Sequence, residues 1–461
     1  MMLVGSDNPE LSAGVIVSTS LAPRSEAVRR RCRAVLLLAP GWPPGEIANG
    51  IISTVATAKK GLESIGVPCS VLSFSRIYRG QDPHSRVFHV SSFDKRSQVG
   101  RIGRGLANRL VRALVGRSKR WTVHNPPIET RGFGTAIAYF ERCHGINIIE
   151  VEESFGLPGF VVKHASAPIV TRLHGPWFLN GAANGCLRDE AFSGRVNIEG
   201  EGIVHSQGVT SPSRFVLSAT EDRYGIRFPL CAVIPNSVEP AAPTSYWNPR
   251  GAESDHILFV GRFDLHKGAD VCVHAFAEVL KKRPDARLTL VGPDHGIIDP
   301  VSGTVVCAAN WIRKEVSAVV AGRIDLPGKL TRGAIMELRQ RAAVTVVPSR
   351  FENFSMTTIE AMAQGCPLVA SRVGGIAEII DEGRNGLLCG VSNSSDLAAK
   401  ILALLENREL AATLGGQARR DSVDRFSPTA VAARSMQFYE EVCARAYFGH
   451  GGRESSGAAY S

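Results

Sequence analysis

VTVVPSRFENFSMTTIEAMAQGCPLVASRVGGIAEIIDEGRNGLLCG, residues 344–390, is the stretch whose reading decides the fold. It opens on a β-branched run, Val344 to Val347, closed by Pro348, which reads as a strand buried on both faces and therefore parallel to its neighbours. A loop follows, and then Ser355 to Gln364 carries the pattern of a helix stopped by Gly365 and Pro367. Pro367 to Ala370 forms a second short strand, and Gly374-Gly375 turns the chain into another short helix. Strand–loop–helix–strand is the unit of an α/β sheet, whose ligands sit at the carboxyl ends of the strands. Glu352 falls at such an end, just before a helix whose first N–H groups lack helical partners and whose dipole is positive there, a place that suits an anion. Glu360 follows two turns later, so a loop carboxylate and a helix carboxylate can face one cleft. Taken singly, Glu352 reads as a partner of the helix dipole and Glu360 as a solvated surface residue.

A chain of 461 residues exceeds one ordinary core and suits two α/β domains. Its apolar fraction of 44% and charged fraction of 21% are those of a soluble globular protein, and no apolar run is long enough to span a bilayer. The cysteines are scattered with no Cys-x-x-Cys pair, which argues for reduced thiols, no zinc site and the cytosol. A formal charge of +10 suits an anionic partner: donor phosphates, an anionic membrane surface or nucleic acid. No helix-turn-helix, zinc-finger or RNA-binding signature accompanies the charge, so nucleic acid ranks last.

Residues 1–30 are expected to form a poorly ordered leader. Strand 34–39, a Gly/Pro-rich loop from Gly41 to Gly50, a helix from Ile51 to Ser64 and a strand from Pro68 to Ser73 make a nucleotide-type start. Residues 95–120 carry nine basic residues and no acidic one, with Ile102, Leu106, Leu110 and Leu114 as an apolar stripe. The stretch reads either as an ordinary surface helix or as a basic amphipathic helix on an anionic membrane. Gly132-Phe133-Gly134 lacks the third glycine of a dinucleotide fingerprint, since Ile137 stands there. Strand Ile146 to Glu150, a helix near Phe160 to His164 and strand Ile169 to Leu173 follow. His174-Gly175 ends that last strand, facing the cleft or closing a turn. A helix through residues 199–207 leads into strand Gly208 to Thr210, and residues 236–253, rich in Pro, Asn and Ala, read as the domain boundary.

The second half opens with strand Ile257 to Val260 and GRFDLHKG. Arg262 and Lys267 flank a loop off a strand end, where two cations can bracket a diphosphate. The order of a P-loop is absent. Helix Ala269 to Leu280 and strand Arg287 to Val291 follow, then helices near 396–418 and 428–447 and a tail, 449–461, expected to be disordered.

The run from Pro348 to Glu378 resembles the nucleotide-sugar signature of glycosyltransferase family 4. The matching pieces are Pro348-Ser349, Glu352 and Glu360 at the family's spacing, Ala361-Met362-Ala363, Gly365-Cys366-Pro367, and Gly374-Gly375 with Glu378. TRLHGP resembles the family's His-Gly element, and GRFDLHKG its Gly-Arg…Lys-Gly element. Leu326 to Leu330 resembles the segment that lines the base pocket. Asn49-Gly50 stands in for a commoner Gly-Gly pair, and Ser237 and Glu239 depart from the family's Pro-Asn-Gly-Val-Asp linker.

The resemblance implies the GT-B fold: α/β, two facing Rossmann-like doubly wound domains with the site between them. It divides the chain into an acceptor-binding domain, 31–240, a nucleotide-sugar domain, 241–427, and a last helix, 428–448, crossing back to the first domain. It implies a retaining, hexosyl-type transferase that moves a sugar from a nucleotide diphosphate donor to a glycan or lipid-linked acceptor hydroxyl. Arg262 and Lys267 would hold the diphosphate. Asn353, Phe354 and Ser355 would offer backbone N–H groups to the donor, and Gly50 would let backbone approach it. Glu352 would meet the sugar, Glu360 the ribose, and His174 would position the sugar from the opposite domain. No Asp-x-Asp occurs, which fits a site without metal or other cofactor. A sugar-nucleotide epimerase of the same fold and a non-catalytic nucleotide-binding member are the alternatives. The expected place is the cytoplasm, with peripheral contact to the inner membrane face.

Overall fold

Val35–Ala39 (β1) sends Val35, Leu37 and Ala39 into one apolar cluster and Leu36 and Leu38 into another. A strand apolar on both faces must be covered on both, the arrangement of a parallel α/β sheet. The computed structural model describes residues 32–44, 50–75, 80–94, 132–298 and 303–448. After β1 come α1 (Gly50–Ser64), β2 (Cys69–Ser73), β3 (Val87–His89), α2 (Phe133–Cys143), β4 (Ile148–Glu152), α3 (Leu157–Val161) and β5 (Ile169–Arg172). Then α4 (Trp177–Ala183), α5 (Glu190–Val204), β6 (Gly208–Ser211), α6 (Arg214–Tyr224) and β7 (Cys231–Val233) complete the first domain. Its seven strands pair in parallel in the order β3-β2-β1-β4-β5-β6-β7.

The second domain repeats the plan. It runs β8 (His256–Val260), α7 (Ala269–Lys282), β9 (Arg287–Val291), the small antiparallel ribbon β10 (Ile297–Ile298) and β11 (Val305–Val306), α8 (Ala308–Glu315), α9 (Ala318–Ala321), β12 (Ile324–Gly328) and α10 (Arg332–Arg341). It continues with β13 (Val344–Val347), α11 (Met356–Gln364), β14 (Leu368–Ser371), α12 (Ile376–Ile379), β15 (Leu387–Cys389), α13 (Ser394–Glu406), α14 (Arg408–Phe426) and α15 (Pro428–Phe448). Its parallel sheet has the order β12-β9-β8-β13-β14-β15. Val344 and Val346 face one core and Val347 the other, so β13 is buried on both sides.

The last helix, α15, belongs to the first domain by packing. Val431, Phe438, Tyr439 and Val442 join β1 and α1 in one core, and Tyr439 Oη donates to the buried Glu150 Oε2 at 2.7 Å.

Several element boundaries differ from the sequence expectation for local reasons. The helix expected near 160–164 starts at Leu157, because Gly156 turns the chain at φ 69° and Pro158 fits a first turn. The strand expected at 146–150 is shifted to Ile148–Glu152. The helix before β6 begins as early as Glu190, where the Asp189 carboxylate accepts from Phe192 N. The stretch 396–418 is two helices, because the Asn407 side chain accepts from Leu410 N and caps a new start. Gly132 opens α2 from a left-handed conformation. The leader 1–30, the basic stretch 95–120 and the tail 449–461 lie outside the described residues. Among the described residues no helix is long and apolar enough to cross a membrane.

Candidate active site

Strand order reverses between β1 and β4 in the first sheet and between β8 and β13 in the second. Such switch points open a crevice at the carboxyl ends of the strands. Gly50 at the start of α1 and His174 just past β5 come from the first sheet. Arg262 just past β8, and Glu352, Asn353 and Phe354 past β13, come from the second. All of them, with Lys267, line one interdomain cavity of about 260 Å³. A groove of about 410 Å³ beside α10 is larger, but His256 and Arg287 on its wall are the first residues of β8 and β9, at the opposite end of the sheet.

Backbone contact sets the cationic side of the cavity. Gly268 has φ +71°, and a Cβ there would lie 1.9 Å from Pro348 O, so the start of α7 and the exit of β13 meet main chain to main chain. That contact brings Lys267 Nζ to 2.6 Å from Glu352 Oε1, which also accepts from Ser349 Oγ at 2.9 Å. Asp264 fixes the loop from within: its carboxylate accepts from Arg262 Nε at 2.7 Å and from Lys267 N at 2.8 Å. The terminal amino groups of Arg262 have no protein partner among the described residues.

The opposite wall is neutral. His174 is pushed down to about 3, first by loss of hydration and then by the Arg172 charge, so its ring is uncharged at neutral pH. His266, on the cation side, is also lowered by burial and by Lys267. The His174 turn is held from behind, where its N–H and that of Gly175 donate to Glu153 at 2.9–3.1 Å.

Several hydrogen bonds then cross between the domains. Asn353 Nδ2 donates to Asn180 Oδ1 at 2.7 Å, and Ser213 Oγ to Asn353 O at 2.8 Å. Glu378, the glutamate of the Gly-Gly-x-x-Glu element, accepts from Arg214 N and Phe215 N, both at 2.8 Å, and so caps α6 of the other domain.

Glu360 stands apart from this convergence. It does not line the cavity, and its carboxylate takes a hydrogen bond from the buried Arg339 at 2.9 Å. Ser355 is the N-cap of α11, its hydroxyl accepting from Thr358 N behind the cavity wall. The sequence reading missed Asn180, His266 and Phe351, which also line the cavity, and Arg172, whose guanidinium holds Ile234 O, Pro235 O and Asn236 Oδ1. His266 sits inside the GRFDLHKG loop and was legible there; Asn180 carries no signal until its partner Asn353 is known.

Residues 248–421 match the sequence model described as "Glycosyl transferases group 1". An uncharacterized glycosyltransferase of Methanocaldococcus jannaschii is 34% identical over 185 residues, 40% of this chain and 48% of that protein. A D-inositol 3-phosphate glycosyltransferase of Corynebacterium kroppenstedtii is 24% identical over 388 residues, 79% of this chain and 83% of that protein. The chain spans about half the length of the first curated relatives it matches. Among solved structures, sucrose-phosphate synthase from Thermosynechococcus elongatus aligns with TM-score 0.64 at 22% identity, over 89% of this chain and 99% of that one. The UDP-glucose complex of Anabaena HepE aligns with TM-score 0.58 at 17% identity, over 89% of this chain and 99% of that one. The chain therefore has the GT-B fold, two facing Rossmann-like domains, and its second domain is similar in sequence to the group 1 glycosyl transferases.

Proposed function

We propose that this protein is a retaining, metal-independent glycosyltransferase of the family 4 kind, moving a sugar from a nucleotide diphosphate sugar to an acceptor hydroxyl. The observation that carries the reading is the meeting of Arg262, Lys267 and Glu352 from one domain with His174 from the other at a single cavity. Breaking a sugar–phosphate bond puts negative charge on the departing diphosphate and positive charge on the sugar ring. Groups already in place to meet both charges lower the barrier most.

Arg262, its terminal amino groups without a partner among the described residues, and Lys267 grip the diphosphate, the first as a fork and the second as a point charge. The N–H groups that open α11 add their positive end to the same anion. Glu352 keeps Lys267 aimed, accepts from sugar hydroxyls and favours the developing ring cation. His174, uncharged, positions the sugar by hydrogen bonding rather than by charge. Gly50 leaves room for backbone approach, and Glu360, on α11 outside the cavity and hydrogen-bonded to Arg339, is assigned to the ribose hydroxyls by the family resemblance alone. The acceptor is a glycan or a lipid-linked molecule, and the place is the cytoplasm; ten free thiols support a reducing compartment. The UDP-glucose complex of the Anabaena neighbour supports a nucleotide-sugar donor.

The experiment is a thermal-shift screen against UDP-, GDP- and ADP-sugars, followed by transfer assays with the best donor in EDTA and proton NMR of the anomeric signal in the product. The reading expects a raised Tm with one nucleotide family, transfer undiminished by EDTA, and the donor's anomeric configuration in the product. No response to any nucleoside diphosphate would remove it.

A further inference from the structure

Several buried carboxylates take no part in the mechanism above, and one of them is Glu153. Glu153 follows β4, is 1% exposed and does not line the cavity. Both its oxygens are aimed at the neighbouring turn: Oε1 accepts from His174 N at 3.1 Å and Gly175 N at 2.9 Å, and Oε2 from His174 N at 3.0 Å. The turn is crowded from the second domain. Gly175 has φ +143°, and a Cβ there would lie 2.0 Å from Asn353 Nδ2 of the second domain. The same two residues thus carry the His174 ring into the cavity and seat the domains against each other.

We propose that Glu153 is a positioning residue for sugar transfer: its ionised carboxylate, holding the N–H groups of His174 and Gly175, sets where the His174 ring meets the substrate. The inference rests on the reading of the cavity as a transfer site. A glutamine could keep its one oxygen at the Oε1 place, where both N–H groups already donate, but it would replace Oε2 by an NH₂ that faces the His174 N–H. Ionised groups also make the stronger hydrogen bonds here. Glu152 on β4, Glu199 on α5 and Tyr224 on α6 feel the Glu153 charge, and the N–H groups of His174 and Gly175 past β5 donate to it. Burial first, and then Glu199, lift Glu153 to about 7, against the pull of the His174 and Gly175 N–H groups. Because His174 is lowered to about 3, a loss of turnover on acidification near neutrality belongs to the buried carboxylates behind the turn and not to the histidine, and the Glu153 variants separate Glu153 from Glu152 and Glu199.

The test uses the full chain and the variants Glu153→Gln and Glu153→Asp, with two readouts. The first is kcat and donor KM from pH 5.5 to 9, with the donor found above. The second is the ¹³Cε1–H resonance of His174 in histidine-labelled protein, identified by its loss in His174→Ala. In Glu153→Gln, kcat should fall about 100-fold with KM within about twofold, the size of effect expected for a reacting partner displaced by about an ångström. The acid limb should vanish, the His174 resonance should move, and Glu153→Asp should restore part of each. In the wild type the His174 resonance should shift with a midpoint near pH 7, following Glu153. A His174 resonance flat across that range, or unchanged in a folded Glu153→Gln, overturns the proposal whether or not sugar is transferred. So does wild-type kcat in that variant. Should Glu153→Gln fail to fold, the wild-type titration and Glu153→Asp decide. A wild type that turns over no nucleotide sugar defeats the proposed function alone, because the resonance still judges Glu153.

Discussion

Lys267 Nζ lies 2.6 Å from Glu352 Oε1, joining the loop that leaves β8 to the loop that leaves β13 at the cavity wall. The pair is partly buried, and the same Glu352 oxygen also accepts from Ser349 Oγ. Each member therefore has two duties: it fixes its partner, and it meets one of the two charges that a breaking sugar–phosphate bond develops. Lys267→Ala and Glu352→Ala should each lower kcat by about 10²–10³, the usual loss for one preplaced charged donor. Nucleotide affinity should fall far less, because Arg262 and the start of α11 remain. Steady-state kinetics beside calorimetric titration with the nucleoside diphosphate measure both. Near-normal turnover in the two variants removes the assignment.

Glu378 ties the domains together at a helix start. Its carboxylate accepts from the first two N–H groups of α6, Arg214 and Phe215, at the positive end of that helix. The side chain is exposed, so the stability at stake is at most about 1 kcal/mol. Its larger effect is on geometry. Glu378→Ala should open the cleft, raising donor KM and widening the particle in small-angle scattering while Tm moves only a few degrees. Unchanged scattering and KM would mean that Asn353, through Asn180 and Ser213, sets the interdomain angle without help.

These contacts mark the limit of what the chain discloses on its own. β13, α11 and β14 were legible in residues 344–371, because a β-branched run, a loop and a helix ended by Gly365 leave few other structures open. Arg262, Lys267 and Glu352 were legible for the same reason, since each lies in a loop off a strand end. Glu378 was readable as part of a motif and not as a cap, because its partners lie more than 160 residues away. Asn180 with Asn353, and Arg172 with the 234–236 segment, are likewise pairs made by the facing of two sheets or by the return of a linker. Local pattern holds no record of such pairs. Asn407 was different: it had the chemistry of a cap but sat between two helical runs that read as one.

Stability should fall as pH rises, through the buried glutamates behind His174. Glu152 is raised from the ordinary carboxylate range to about 8 by burial first and by Glu153 second. The folded chain keeps that proton up to about pH 8, while the unfolded chain releases it near 4.5. Across that window the folded state binds more protons, so each step up in pH favours unfolding. The stabilising contribution is complete below the unfolded value and lost as pH passes the folded one. Glu153 adds a shift of the same sign. Glu152→Gln retains an oxygen for Ser154 Oγ but cannot ionise. Its Tm should stay flatter than the wild type's from pH 5 to 9 and exceed it at the alkaline end. Parallel curves would show that Glu152 does not carry the effect.

Among the contacts that hold the returning helix α15 are one small residue and one hydroxyl. Gly208 on β6 leaves room for it: a Cβ there would lie 2.7 Å from Val442 Cγ2 and 3.0 Å from Phe438 Cε1. Gly208→Ala should therefore cost about 1–3 kcal/mol by overpacking. Tyr439→Phe keeps the ring but removes the donor that Glu150 Oε2 meets at 2.7 Å, leaving a carboxylate 6% exposed without that partner. Its cost should also be about 1–3 kcal/mol. Urea unfolding of the two variants measures both costs. A Tyr439→Phe penalty near zero would mean that the ring's packing, rather than its hydroxyl, anchors α15 to the first domain.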